Sequence, residues 1–307
     1  MGKLIRVGTR ESHLAGWQAE KVKQQLESAG FTAELIYLKT EGDADQKTPL
    51  YEMGIQGIFT RTLDTALLND KIDIAVHSMK DVPLQLAQGL YQCAVLKRGP
   101  VNDLLVFKND PDFLQDRNKQ AAIATGSIRR KAQWLNRYPK HTIHDLRGNL
   151  STRLKKLNEG SWDAAVFAQA GLERINLRPA KSLILDWMLP APAQGAIMVV
   201  CREDDNFSFE ACRSFNDENT AFCTKLERDF LKGLLGGCST PVGALAEIEN
   251  NEIYFRGNIL APDGSMKAEI EKILPLEMAT KTGKAAAEEL LMNGGQQIAD
   301  SIEHAGK

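Results

Sequence analysis

The stretch AVHSMKDVP at residues 75–83 constrains the fold of this chain more than any other. It continues a short β-branched apolar run, residues 72–76, of the kind found in strands that are covered on both faces. Pro83 cannot extend a hydrogen-bonded ladder, so this strand must end before it. Lys80 and Asp81 are therefore predicted to lie in a loop at the carboxyl end of a strand, where open α/β sheets bind ligands. Because a Lys-Asp pair is more often a solvated surface pair, the position alone assigns no function.

The first two thirds of the chain alternate short apolar strands with amphipathic helices, which predicts mainly parallel, helix-covered sheets. Strands are predicted at 3–10, 34–39, 72–76 and 90–96, and again at 104–107, 121–124, 141–146 and 164–168. A strand at 196–201 has no sheet of its own nearby and is expected to return to the first domain. The last third has a helix from Glu218, antiparallel strands joined by a Pro262-Asp263-Gly264 turn, and a helix over 278–293, which predicts an α+β domain.

Length and composition set the predicted domains and their surroundings. A chain of 307 residues suits two or three domains, and we predict 1–98 with 194–216, then 99–193, then 217–307. The net charge of −2 provides no global basic field for nucleic acid or an anionic membrane. No apolar run approaches about 20 residues and no signal-peptide profile is present, which predicts a cytoplasmic protein without membrane association.

The cysteines do not form a recognisable framework. There are five of them, and none forms a Cys-x-x-Cys pair, which argues against structural disulfides or zinc. No metal site is expected, because His141 and His144 would point to opposite faces of a strand. Cys201, Cys212 and Cys223 lie in predicted strands or helices and are expected to be buried thiols. Cys238 differs, because the two preceding glycines predict a tight loop that exposes a nucleophilic sulfur.

Three predicted strand-to-helix junctions carry arginine together with a hydroxyl or an amide. A helix N-terminus favours anions, and a guanidinium grips a carboxylate or phosphate with two hydrogen bonds. These junctions and Lys80 predict a site for a polyanion, with phosphate or several carboxylates both possible, although the glycine-rich phosphate loops are missing. Asp81 would be the lone anion there, suited to accept N–H hydrogen bonds or to stabilise a developing cation. The junction residues are Arg10 and Ser12; Thr125, Ser127, Arg129 and Arg130; and Arg147, Asn149 and Arg153.

Six motifs together resemble the porphobilinogen deaminase (hydroxymethylbilane synthase) family. They are TRxS at 9–12, residues 75–83, SxRR at 127–130, LRGN at 146–149 with TRL at 152–154, QGA at 194–196, and GGC at 236–238. They span almost the whole chain in the family's order. The resemblance implies two type II periplasmic-binding-protein-like α/β domains with mixed, mainly parallel sheets, and a C-terminal α+β domain around a common cleft.

The resemblance also implies a cofactor, a reaction and a set of site residues. A dipyrromethane would be held by a thioether to Cys238, and Asp81 would be catalytic. Four porphobilinogens would be condensed head to tail onto this primer with loss of ammonia, and linear hydroxymethylbilane would then be released by hydrolysis. The enzyme would have no obligate protein partner and would be a monomer. Substrate and cofactor would contact Arg10, Ser12, Lys80, Thr125, Ser127, Arg129, Arg130, Arg147, Gly148, Asn149, Arg153, Ala168 and Gln194.

Some positions differ from the family's usual pattern. Glu41 and Gln56 stand where arginine and lysine are frequent, and Pro192-Ala193 replaces a more usual Val-Gly. The first two belong to the polar, glycine-containing segment 40–57, which is predicted to be a lid. Phe59 follows this segment and is a candidate for stacking on a pyrrole ring.

Two other functions remain open on the residues alone. A non-enzymatic binding protein for an anionic metabolite would share the first two domains but would need neither Cys238 nor the third. A phosphoryl-transfer enzyme is disfavoured because the phosphate loop is missing.

Overall fold

The computed structural model describes residues 3–39, 60–234 and 240–305. The predictions made for segment 40–57, for Phe59 and for Cys238 lie outside these residues. The described chain forms two compact units, one of 3–39, 60–99 and 195–222 and one of 100–194, 223–234 and 240–305. Whether the second unit divides further into two domains, as the sequence predicts, stays a prediction.

The elements are numbered here along the chain. The strands are β1 (Ile5–Arg10), β2 (Ala33–Leu38), β3 (Ile74–Ser78), β4 (Leu90–Val95), β5 (Asp103–Phe107), β6 (Ala122–Ala124), β7 (Thr142–His144), β8 (Ala164–Ala168), β9 (Ser182–Leu185), β10 (Ile197–Arg202), β11 (Val242–Glu249), β12 (Glu252–Leu260) and β13 (Lys267–Pro275). The helices are α1 (His13–Ser28), α2 (Arg61–Leu68), α3 (Ile128–Arg137), α4 (Leu150–Glu159), α5 (Gln169–Arg174), α6 (Asn206–Arg213), α7 (Glu218–Leu234), α8 (Thr282–Leu290) and α9 (Gln296–Ala305).

The first unit is built on a five-stranded sheet with the order β2-β1-β3-β10-β4. Its strands run in one direction except β10, which is antiparallel to both neighbours. The prediction that the strand near 196–201 returns to the first domain is therefore confirmed. One face of the sheet packs α1 against a core that includes Ile5, Val7, Ile74 and Val76. That burial is what fixes the register, because a one-residue slip would turn these side chains away from the core.

The second unit contains a sheet of the same arrangement, ordered β7-β6-β8-β5-β9. Here the antiparallel strand is β5, which pairs with β8 and β9. In both sheets, the antiparallel strand is the first strand after the chain crosses from the other unit. The crossing at residues 99–103 leads into β5, and the crossing at residues 194–197 leads into β10. The predicted fold class is confirmed as two α/β folds with mixed, mainly parallel sheets, together with a C-terminal part.

The C-terminal part consists of the antiparallel sheet β11-β12-β13 with α7, α8 and α9. Phe230 of α7 packs edge-on against Phe255 of β12, with ring centroids 5.3 Å apart. Gly257 is required beside them, since a Cβ there would lie 2.4 Å from the Phe230 ring. The predicted turn at Pro262-Asp263-Gly264 joins β12 to β13, and Gly264 has a φ of +76°.

Some predicted boundaries were wrong. The terminal helix predicted over 278–293 begins only at Thr282 and ends at Leu290, and α9 follows it. Strand β9 was not predicted, and helix α6 was predicted only in so far as Cys212 was placed on a helix, without bounds. Strand β3 lies two residues later than the predicted 72–76. No helix in the described part of the chain is long and apolar enough to cross a membrane.

Candidate active site

In the first unit, two strand ends bring the predicted site residues to one edge of the sheet. Strands β1 and β3 are parallel neighbours, so their carboxyl ends lie side by side. Strand β1 ends at Arg10, and β3 leads directly into one 3-10 turn, Met79–Asp81. Lys80 and Asp81 are thus in helical backbone, not in the predicted irregular loop. Asp81 is exposed and Lys80 half-buried, which leaves the carboxylate accessible to a ligand.

The backbone of this edge is held in place by side chains of α1. Ser12 caps the helix, as predicted, by accepting a hydrogen bond from the Ala15 amide at 3.3 Å. The Gln18 amide donates to the Ser78 hydroxyl at 2.9 Å, and that hydroxyl can donate in return to Gln18 Oε1. Gln18 was not predicted, although a polar residue on the otherwise apolar, buried stripe of α1 is a readable signal. The pair fixes the position of the residue directly before the 3-10 turn.

His77 is a buried imidazole at the same strand end. It is 6% exposed, and its Nε2 atom has no hydrogen-bond partner within the described ranges. Burial lowers the pKa of His77 to about 4, and the positive charge of Arg10 acts in the same direction. The imidazole is therefore neutral near pH 7, which avoids placing a second cation beside Arg10.

In the second unit, the loops that follow β6 and β7 touch each other. The Thr125 amide donates to the His144 carbonyl at 2.8 Å, and a Cβ on Gly126 would lie 2.6 Å from the Leu146 carbonyl oxygen. Ser127 caps α3, and Asn149 caps α4 through a 2.9 Å hydrogen bond from the Thr152 amide. The structure thus brings two of the three predicted arginine junctions together at one sheet edge.

The turn that carries Arg147 is surrounded by further cations. Arg147 is buried, and Gly148 has a φ of +112°, a conformation that other residues rarely adopt. Arg153 Nε donates to the Gly148 carbonyl at 2.7 Å, and Lys156 Nζ donates to the Arg147 carbonyl at 3.0 Å. Lys156 was missed in the sequence, where it reads as an ordinary residue of an amphipathic helix. Arg153 and Lys156 fix the turn and concentrate positive charge at the start of α4.

Arg129 and Arg130, consecutive in the first turn of α3, meet at one carboxylate. Arg129 Nη2 lies 2.8 Å from Asp103 Oδ2, while Arg130 donates to Asp103 Oδ1 from Nε at 3.1 Å and from Nη2 at 2.8 Å. The amide of Gln194 also donates to Asp103 Oδ1, at 2.9 Å. Asp103 pairs with Ala168 across the β5–β8 ladder, which places Ala168 at this edge. Asp103 was not predicted, because its sequence position shows no sign of two arginines more than twenty residues away.

These three charged groups are buried almost completely. Arg129 is 4% exposed, Arg130 5% and Asp103 0%. Burial lowers the pKa of the Arg129 guanidinium, and the Asp103 carboxylate opposes that effect. The Nη1 atom of Arg129 donates to the Leu189 carbonyl, whereas its buried Nε has no hydrogen-bond partner among the described residues. An acceptor is thus missing at a buried, positively charged nitrogen, which is a costly arrangement unless a ligand supplies one.

The described cysteines are not candidates for the chemistry. Cys201, Cys212 and Cys223 are buried, as predicted, and so is Cys93. Burial raises the pKa of the Cys93 thiol, which makes it a poor nucleophile at neutral pH. In the described ranges no group of three His, Cys, Asp or Glu side chains is arranged to hold a metal ion.

Two family models match this chain in succession. Residues 5–210 match "Porphobilinogen deaminase, dipyromethane cofactor binding domain", and residues 221–292 match "Porphobilinogen deaminase, C-terminal domain". The first match alone covers more than half of the chain. It contains both arginine-rich sheet edges, and Cys238 lies within the second match.

Solved structures with similar folds are distant. The Bordetella pertussis BvgS periplasmic VFT2 domain is 14% identical, with 68% of this chain and 85% of that chain covered and a TM-score of 0.41. The amino acid transporter substrate-binding protein AbpA from Streptococcus pneumoniae, bound to L-arginine, is 16% identical, with coverages of 70% and 87% and a TM-score of 0.40. Similarity at this level says nothing about what the present chain binds.

Proposed function

The chain belongs to the porphobilinogen deaminase family, and we propose that Cys238 carries its primer, that Asp81 acts at the reacting ring and that the arginines of both sheet edges bind carboxylates. Its activity is that of a hydroxymethylbilane synthase, a transferase of tetrapyrrole and heme biosynthesis. It condenses four porphobilinogens head to tail with loss of ammonia and releases linear hydroxymethylbilane by hydrolysis. The cofactor is dipyrromethane, for which the domain at 5–210 is the binding domain.

The residues of the second unit fit such a cofactor. The observation that carries the assignment is the buried Nε of Arg129, which has no acceptor in the described part of the chain. Each pyrrole of the primer bears acetate and propionate groups, and a carboxylate oxygen is the acceptor that a guanidinium binds best. Arg147, Arg153 and Lys156 surround the adjoining turn. These side chains would bind and orient the primer, which supplies the carbon to which the incoming ring is joined.

The first unit places an accessible carboxylate, that of Asp81, at its sheet edge. Asp81 is exposed, and it forms no ion pair or hydrogen bond with another described side chain. Loss of ammonia from porphobilinogen leaves a ring whose positive charge is shared with the pyrrole nitrogen. A carboxylate can accept a hydrogen bond from that N–H group and stabilise the charge as it develops. Lys80 and Arg10, being cations, are assigned to substrate carboxylates.

Intact-mass spectrometry tests the cofactor attachment directly. The parent protein should exceed the calculated chain mass by two pyrrole units, and Cys238→Ala should have the unmodified mass and no activity. Cys223→Ala is the matched control, because it removes a buried thiol and should keep the added mass. An adduct that survives in Cys238→Ala would show that another residue carries the primer.

Two finer assignments belong to the same proposal. We expect the enzyme to act in the cytoplasm as a monomer, without an obligate protein partner, and light scattering coupled to size exclusion measures the second point. A non-enzymatic binder of an anionic metabolite is not favoured, because the match continues through the C-terminal domain. Such a binder would also show the unmodified chain mass.

A further inference from the structure

The Asp103 carboxylate lies at the centre of a charged cluster that consists of Arg129, Arg130 and Asp103. Both carboxylate oxygens are in contact with guanidinium nitrogens at 2.8 Å. The Gln194 amide donates to the same carboxylate at 2.9 Å and to the Val101 carbonyl at 2.7 Å. Asp103 is therefore held in one orientation from several sides, and it holds both guanidiniums in turn.

The charge of this cluster follows from its members. Two guanidiniums and one carboxylate sum to one positive charge, in surroundings that are at most 5% exposed. An uncompensated buried charge is unfavourable, and two adjacent guanidiniums without Asp103 would also repel each other. A single carboxylate ligand would bring the sum to zero. A dianion such as sulfate or phosphate would leave one negative charge in the same buried place.

The hydrogen bonds define where such a ligand is needed. Arg130 uses Nε and Nη2 for Asp103 and Nη1 for the Val166 carbonyl at 3.1 Å. Arg129 forms an ion pair with Asp103 Oδ2 through Nη2, and its Nη1 donates to the Leu189 carbonyl at 2.8 Å. Among the described residues nothing accepts from Arg129 Nε. The two arginines, although adjacent in sequence, thus differ in their contacts, and the Nε–H group of Arg129 has no acceptor among the described residues.

We infer that Asp103 is a positioning and specificity-determining residue: it orients Arg129 and sets the cluster to one net positive charge, so that the site selects a monoanionic carboxylate over a dianion. This inference rests on the proposed function in one respect, namely that the anion is a carboxylate of the pyrrole primer. In this inference Asp103 acts through Arg129, because its own carboxylate is buried and paired with both guanidiniums.

The experiment uses anion binding to the unloaded full-length protein, made by Cys238→Ala. Thermal unfolding is followed in acetate and in sulfate at matched ionic strength, since a ligand that binds the folded state raises the melting temperature. In the Cys238→Ala background, acetate should bind at least about tenfold more tightly than sulfate, after the general salting effect is subtracted using Arg129→Gln, which removes the unpaired donor; Glu247→Gln should respond as the Cys238→Ala protein does. Glu247 is the matched control because its ion pair with Arg256 is exposed.

Asp103→Asn in this background keeps the size of the side chain and raises the cluster to two positive charges. The preference should then shift toward sulfate, and Asp103→Glu should restore the preference for acetate. If Asp103→Asn does not fold, as judged by circular dichroism, Arg130→Gln provides the opposite perturbation, since it lowers the net charge to zero and should abolish acetate binding. An unchanged acetate-to-sulfate ratio in the folded variant would overturn the inference.

The primer provides a second, separate readout. With Cys238 present, Asp103→Asn should carry a smaller fraction of adduct by intact mass than the parent and Asp103→Glu. A normal adduct in Asp103→Asn counts against the inference and leaves the proposed function standing. A parent that carries no adduct at all refutes the proposed function, while the acetate and sulfate comparison still tests Asp103.

Discussion

The buried imidazole of His77 predicts a specific loss of stability on acidification. Its pKa is lowered to about 4 in the folded protein, by burial first and by Arg10 second, against an ordinary value of 6.5. As the pH falls through 6.5, the unfolded chain takes up a proton that the folded protein does not. The contribution is therefore fully present above pH 6.5 and is lost progressively down to about pH 4.

The size of the effect follows from these two pKa values. Between about pH 7 and about pH 5, linkage gives a loss of about 2 kcal/mol in the free energy of unfolding. The full loss, reached near pH 4, is about 3 kcal/mol. Because His77 is only 6% exposed, solvent screening reduces these values little. An effect of this size is a substantial fraction of the stability of an ordinary domain.

The measurement should report on the first unit by itself. The free energy of unfolding of this unit is measured in urea from the hydrogen exchange of peptides that contain β3, at about pH 7 and at about pH 5. His77→Gln cannot be protonated, so it should lose about 2 kcal/mol less than the parent between these pH values. His13→Gln, which removes an exposed imidazole from the same unit, is the matched control and should behave as the parent. Equal losses in His77→Gln and the parent would refute the reasoning.

Two further predictions concern the reaction and the backbone. Asp81→Asn should fold and carry the primer, and its turnover in a porphobilinogen consumption assay should be lower by a factor of at least about 10². Asp81→Glu should regain part of the lost turnover. Near-normal turnover of Asp81→Asn would remove Asp81 from the mechanism. Ala193 has a φ of +61°, so Ala193→Gly should stabilise the protein by up to about 1 kcal/mol in urea unfolding. Ala191→Gly, at an ordinary φ, should destabilise it by about 0.5–1 kcal/mol, and equal losses in both variants would mean that Ala193 is unstrained.

The sequence predicted the architecture because local patterns carry it. Strand β10 was assigned to the first sheet from the absence of nearby partners, and Ser12 was assigned as a helix cap from its place before an apolar stripe. The 3-10 turn at Met79–Asp81 could not be foreseen, since one short turn has no periodicity. The division of the terminal helix was missed for a related reason: Gly294, with a φ of +97°, lies between α8 and α9 in an otherwise helical pattern.

The partners of the site residues were harder to predict than the residues themselves. Three arginine junctions could be read because each combines a strand end, a cation and a helix start within a few residues. Asp103 and Lys156 could not be read in the same way, because their roles come from contacts across the sheet or along a helix face. Gln194 illustrates the difference: it stands in a recognisable motif, yet its amide binds Asp103 and the Val101 carbonyl.

The two sheets share one strand arrangement but use their edge carboxylates in opposite ways. Asp81, at the edge of the first sheet, is exposed and has no ion pair among the described residues, so its charge remains available to a developing cation. Asp103, at the edge of the second, is wholly buried between two guanidiniums, so its charge is already used within the protein. Neither aspartate could take the role of the other in its present surroundings. A buried, neutralised carboxylate cannot stabilise a reacting ring, and an exposed one would compete with the carboxylates that the arginines must bind. The surroundings of each aspartate, and not its proximity to arginine in the sequence, therefore determine what it does.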